Sequence, residues 1–76
     1  MADSMSKRAY AQVANVLRTT RIAKNMTQED LAAASGVSAA YIGFIEQGLK
    51  KPTIETICKL VEALDITLEK HIFKGL

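Results

Sequence analysis

Apolar residues recur at spacings of three and four along most of the chain, and nowhere do they alternate convincingly with a period of two. This pattern predicts helices and no sheet. A first helix is expected over about residues 6–24, with Tyr10, Val13, Leu17 and Thr20 on one stripe. Asn25 suits the left-handed position just past its end. A second helix follows over residues 28–35: Thr27 can cap its free amides, Asp30 completes a capping-box-like pattern and Met26 can staple onto Leu31. Gly36 ends it. The turn Gly36-Val37-Ser38 leads into a third helix over residues 38–47, with Ser38 as cap and Val37 stapling to Ile42. Pro52 stands just before the cap Thr53 of a fourth helix, residues 54–64, whose stripe is Ile54, Ile57, Val61 and Leu64. A short fifth helix is expected from Thr67, with Leu68, Ile72 and Phe73 apolar. The expected fold is therefore all-α, a compact bundle of about five helices in a single domain over residues 1–76, preceded by a short arm at residues 1–5.

Composition adjusts this picture in two ways. Seventy-six residues lie near the lower limit for a self-sufficient core, although a 49% hydrophobic content is ample for a small helical one. With no Trp and only Tyr10, Tyr41, Phe44 and Phe73 as aromatics, aliphatic side chains must do most of the packing. A chain this short often gains stability by oligomerising. The apolar cluster Leu68, Ile72, Phe73 and Leu76, in a C-terminal segment at about residues 66–76, is the expected subunit contact.

The two central helices form the most informative constellation. They are short, joined by a tight turn centred on Gly36, and small Ala32 lets their backbones approach closely. A plain pair of antiparallel helices shares part of this pattern. The stretch TQEDLAAASGVSAAYIGFIEQGLKKPTIETICKLVEAL goes further: TQEDLA, SGVS, YI, IEQG, the following Pro and an apolar fourth helix occur in order without gaps. In these respects the chain resembles the Cro/C1-type (XRE-like) family of phage-repressor helix-turn-helix proteins over roughly residues 13–72. Its length is also similar to that of the controller proteins of restriction-modification systems. The resemblance implies a lambda repressor-like DNA-binding domain with its motif at about residues 27–47.

What it implies can be placed on residues. Gln28 matches the glutamine that contacts a phosphate and braces the recognition helix, and Thr27 beside it is a second expected phosphate contact. Arg21 and Glu46 match a structural ion pair tying the first helix to the end of the third. Ser38, Ala39, Ala40, Tyr41, Gly43 and Phe44 fall on the turn of helix that faces the DNA groove, while Ile42 and Ile45 should point into the core. Here the chain departs from its family, which commonly places polar or basic side chains where this one has Ala39, Gly43 and Phe44. No bidentate contact to a base can come from those positions, each such contact being worth about 1–3 kcal/mol of discrimination. Base reading would be apolar and shape-driven, through thymine methyls and deformation of the site. Gly43 would allow close approach to DNA or to another helix, and Phe44 is either an exposed contact residue or tucked beneath the fourth helix.

Charge is unevenly distributed, although the net value is only +2. Residues 1–25 carry Lys7, Arg8, Arg18, Arg21 and Lys24 against Asp3, whereas residues 26–48 hold Glu29, Asp30 and Glu46 with no base. A grip on phosphates must then come from flanking elements and from backbone amides. Arg18, Lys50 and Lys51 are candidate phosphate contacts, set against surface salt bridging for Arg18 and a solvated loop for the two lysines. Lys7 and Arg8 are candidates for a basic arm.

Other chemistry finds no support. Cys58 is the only cysteine, which fits a reducing cytoplasm. No run approaches the roughly 18 apolar residues of a membrane span. His71 and Cys58 lack the further partners of a metal site, so no metal and no cofactor is expected. His71 could instead tune a subunit interface or be a surface imidazole. No nucleophile sits in a plausible His–acid arrangement, so an enzyme is not expected. Two functions compete: a homodimeric transcriptional regulator, repressor or autoregulator, on a pseudo-palindromic site in double-stranded DNA, and a helical protein-interaction or antitoxin-like module with reduced sequence reading.

Overall fold

The structure, a computed structural model, describes the backbone of residues 2–65 and the side chains from Lys7 onward. Four helices are found among the described residues: α1 (Ala2–Ala23), α2 (Gln28–Ser35), α3 (Ala39–Glu46) and α4 (Ile54–Leu64). The all-α class therefore holds, with four of the expected helices among the described residues. The expected fifth helix and the C-terminal contact residues Leu68, Ile72, Phe73 and Leu76 lie outside the described residues, as does His71.

Helix boundaries follow from local chemistry. At the start of α2 the Thr27 hydroxyl accepts from the Asp30 amide at 2.9 Å, and the Asp30 carboxylate accepts from the Thr27 amide at 2.9 Å. This reciprocal pair satisfies two amides that a helix end otherwise leaves free. Ser38 and Thr53 cap α3 and α4 by the hydroxyl half of this arrangement alone, each accepting at 3.1 Å from the amide three residues on. Asn25 takes the left-handed conformation, φ 58°, where α1 gives way to α2. Gly36 does so at φ 78° and donates its amide to the Ala32 carbonyl at 2.9 Å.

Two boundaries differ from expectation. Helix α1 begins at Ala2 rather than near residue 6. No Gly or Pro interrupts this stretch, so the segment expected as an arm continues the helix and carries Lys7 and Arg8 with it. Ser38 and Gln47 are the caps of α3 and not members of it.

The core is a single aliphatic cluster. Helices α1 and α2 both pack on α3 and α4, and Leu17, Leu31, Ile42, Ile45, Leu60 and Leu64 are fully enclosed among them. Val37 is buried beside Ile42, and Met26 packs against the same cluster, as their staple positions suggest. The α4 stripe needs correction. It consists of Ile57, Leu60, Val61 and Leu64, while Ile54 is 75% exposed. An i, i+3, i+4, i+7 run starting at Ile57 already fills the inward face, and at this end of the helix Pro52 is the buried residue.

Gly36 tests the turn directly. A Cβ added there meets nothing within 4 Å, so the cost of Gly36→Ala is conformational and not steric. An alanine held at this positive φ should cost about 1–2 kcal/mol. For a domain of this size each kcal/mol lowers Tm by roughly 4–8 °C. A thermal melt with unchanged Tm would contradict the assignment of this turn.

Candidate nucleic-acid interface

The second motif helix is locked in place by three side chains from three elements. Arg21, near the end of α1, grips the Glu46 carboxylate with two bonds: Nε to Oε2 at 2.8 Å and a terminal nitrogen to Oε1 at 2.9 Å. Its other terminal nitrogen donates to the Met26 carbonyl at 2.8 Å, which ties in the α1–α2 connection. Gln28, in the first turn of α2, donates from its amide to Glu46 Oε1 at 3.1 Å. The side chains of Arg21 and Glu46 are only 12% and 4% exposed.

Burial is the largest single influence on the Glu46 carboxyl and would push it up. The hydrogen bonds from Arg21 and Gln28, with the charges of Arg21 and Arg18, together outweigh it and hold the group below its ordinary value. On the other side of the pair, the hydrogen bond to Glu46 holds the Arg21 guanidinium above its ordinary value, against the opposing effect of burial.

The lock explains Gly43, for which the structure narrows the expectation. Gly43 is buried and does not open onto the outer surface. A Cβ there would come within 3.3 Å of the Gln28 side-chain oxygen. The absent side chain therefore makes room for Gln28 to cross α3 and reach Glu46. Of the two roles open to Gly43, close approach to another helix is the one observed.

With Ile42, Gly43 and Ile45 turned inward, α3 presents Ala40, Phe44 and Gln47 outward at spacings of four and three. Phe44 is 43% exposed and is not tucked beneath α4. Ser38 and Ala40 are exposed at the start of the helix, and Ala39 is half-buried. Tyr41 is half-buried and packs its ring against the core. Gln47 was read from sequence only as a helix end, yet it brings the one amide on this stripe. Its position seven residues after Ala40 is the signal that could have found it.

The remaining candidates surround this face. Thr27 is exposed; its oxygen accepts in the capping box, leaving the hydroxyl proton free to donate. Arg18 is exposed and pairs with no described carboxylate; it lines an open groove with Asn15, Glu46 and Gln47 between α1 and the end of α3. Lys50 and Lys51 are exposed on the loop after α3. The Lys51 ammonium stands 5.7 Å from the centre of the Tyr10 ring.

Comparison with known proteins matches residues 17–71 to a helix-turn-helix family. The control protein C.SmaI of Serratia marcescens is 34% identical over 58 residues, which cover 76% of this chain and 69% of that one. The chain belongs to the Cro/C1-type (XRE-like) helix-turn-helix family. The HTH-type transcriptional repressor RghR of Bacillus subtilis is 45% identical over 60 residues, 78% of this chain and 44% of its own. An uncharacterized HTH-type transcriptional regulator of Sinorhizobium fredii, y4dJ, is 39% identical over 44 residues, 58% of this chain and 57% of its own. The chain thus spans about half the length of several of these XRE-like relatives. No solved structure matches it. Two of these relatives are named as HTH-type transcriptional regulators or repressors and one as a control protein. No helix among the described residues is long and apolar enough to cross a membrane.

The Glu46 environment sets a pH dependence. A carboxyl whose folded value is depressed contributes stability that is fully present above its unfolded value, near 4.5, and lost as pH falls through the folded one. Arg21, raised, stays ionised throughout that range. Urea denaturation of this XRE-like domain should therefore show stability falling below about pH 4.5, more steeply in the native chain than in Glu46→Gln. Parallel curves for the two proteins would contradict the depressed carboxyl.

Proposed function

We propose that this protein is a transcriptional regulator that binds a pseudo-palindromic operator as a homodimer and acts as a repressor or autoregulator. The observation that carries this reading is the Arg21–Glu46–Gln28 lock, which sets α3 rigidly across the end of α2 with its Ala40–Phe44–Gln47 stripe outward. In a helix-turn-helix the first helix lies against phosphates and fixes the second in the major groove. Ser38, Ala39, Ala40, Tyr41 and Phe44 are the proposed groove contacts, joined by Gln47. Gly43 serves from beneath.

Thr27, Gln28, Arg18, Lys50 and Lys51 are the proposed phosphate contacts. Gln28 spends one amide proton on Glu46 and keeps a second for an oxygen outside. Two copies would place their recognition helices in successive major grooves about 34 Å apart. Leu68, Ile72, Phe73 and Leu76 are the proposed subunit contact. A small apolar reading surface gives weak discrimination per half-site, which makes the second copy necessary for useful specificity.

One observation favours a second reading, in which the same face binds a protein, as an antitoxin-like module would. The exposed Phe44 is joined through its carbonyl to the amide of Leu49, itself 66% exposed, at 2.8 Å. Two exposed apolar residues whose backbones are bonded to each other suit a protein contact as well as a thymine methyl.

Selection from a random duplex pool separates the two readings. A regulator should enrich a palindromic sequence, with log affinity falling against log salt by about 0.9 for each phosphate neutralised. Phe44→Ala should relax preference at one position per half-site and leave the salt slope unchanged. No enriched sequence and no salt-dependent binding would leave the protein-contact reading in its place.

A further inference from the structure

The basic loop after α3 does not stand alone. The early turns of α1 run beside it, and between them lies an open cleft of about 280 Å³ whose lining includes Lys7, Tyr10, Lys50 and Lys51 at its polar side and Ala11, Ile45 and Pro52 among its apolar residues. Among the described residues no acidic side chain lines this cleft. None of its three lysines forms an ion pair with any described residue. Lys51 is steered by the Tyr10 ring, over which its ammonium sits at 5.7 Å. The loop itself is pinned: Gly48 turns the chain at φ 78°, and the Leu49 and Lys50 amides both donate to the Phe44 carbonyl, at 2.8 and 3.3 Å. The cleft is therefore anchored to the outward stripe of α3.

Three lysines line one cleft and none pairs with a described carboxylate, so an anion seated there is attracted by all three. The volume falls just below the roughly 300–1,000 Å³ of small-molecule pockets and suits a single compact anion. Lysine is a point-charge phosphate binder, and three of them need no fixed fork geometry. Lys7 and Tyr10 also lie outside the segment matched by the family, residues 17–71, so the family assignment gives them no part.

We propose that Lys7, Lys50 and Lys51 form a phosphate-binding cleft, with Tyr10 positioning Lys51, and that its ligand is the DNA backbone beside the groove occupied by α3. The inference rests on the DNA-binding reading above. It extends the interface from the motif onto the first turns of α1. The alternative source of the same chemistry is a free phosphate-bearing molecule, which the loop's attachment to α3 disfavours.

The test uses the full chain and a duplex enriched by it, with affinity measured across salt for the native protein, Lys7→Gln and a control, Lys59→Gln. Lys59 is on α4 and pairs with Glu55 at 3.4 Å, away from the cleft. Lys7→Gln should make the slope of log affinity against log salt shallower by up to about 0.9. It should weaken binding by the same factor on enriched and scrambled duplexes, with Tm unchanged. A slope equal to that of Lys59→Gln would overturn the inference while leaving the DNA-binding reading intact. Absence of salt-dependent binding by the native protein would overturn both. Titration of inorganic phosphate, followed by amide resonances of residues 48–51, covers the other source. Saturable shifts, together with an unchanged Lys7→Gln slope, would assign the cleft to a free anion and overturn the DNA assignment.

Discussion

The partly buried pair Arg21–Glu46 is the constraint on which the arrangement of the domain turns. A charged pair taken out of water is costly, and it is tolerated only where geometry is good and the remaining hydrogen-bonding capacity is filled. Here the geometry is good and each of the three guanidinium nitrogens and both carboxylate oxygens has a partner. Two bonds join the pair, the guanidinium's third donor reaches the Met26 carbonyl, and Gln28 supplies a further donor to the carboxylate. The aliphatic core is non-directional and would accept α3 at several rotations about its axis. The lock selects one, because Glu46 must meet donors from α1 and α2 together. The inward face of α3 is set by that requirement, and the outward face follows from it.

The same constraint accounts for the unusual composition of α3. Glycine inside a helix costs about 1 kcal/mol relative to alanine, and an eight-residue helix has little propensity to spare. At Gly43 that cost is offset by passage for the Gln28 side chain, which lies within 3.3 Å of where a Cβ would sit. Capping by Ser38 and stapling by Val37 support the helix from its start. What remains for recognition is a narrow surface of small and apolar groups with Gln47 at one end. Affinity on such a surface has to be drawn from the backbone contacts around it, and the exposed lysines and Arg18 are placed to supply them.

Much of the fold was legible because it is written locally. Thr27 with Asp30, Asn25, Gly36, Ser38 and Thr53 each act within a few residues of themselves, and each does what its residue type suggests. The Arg21–Glu46 pair spans 25 residues of sequence, so no local pattern contains it, and only family resemblance pointed to it. The errors have a common source. Periodicity gives the rotation of a stripe but not where it starts, so Ile54 was placed in the core and Leu60 was overlooked. Gly43 was left open between DNA and another helix because its tertiary neighbour, Gln28, comes from another element. Gln47 was passed over as a cap, although a helix stripe can extend onto the residue that ends it. The early start of α1 was missed because no stop signal precedes residue 6, and the lack of a breaker is a weak cue.

The central claim is that Arg21 and Glu46 act as one unit holding α3, and a double-mutant cycle in folding stability tests it most directly. Arg21→Met and Glu46→Leu, alone and together, are compared by urea denaturation at neutral pH. A domain of this size has roughly 4–11 kcal/mol of stability. Each single change strands a partly buried charge and should cost about 2 kcal/mol or more, whereas the double change removes both charges at once. The account predicts that the double variant is more stable than the sum of the singles implies, by about 2 kcal/mol. Additive costs, within about 0.5 kcal/mol, would contradict it.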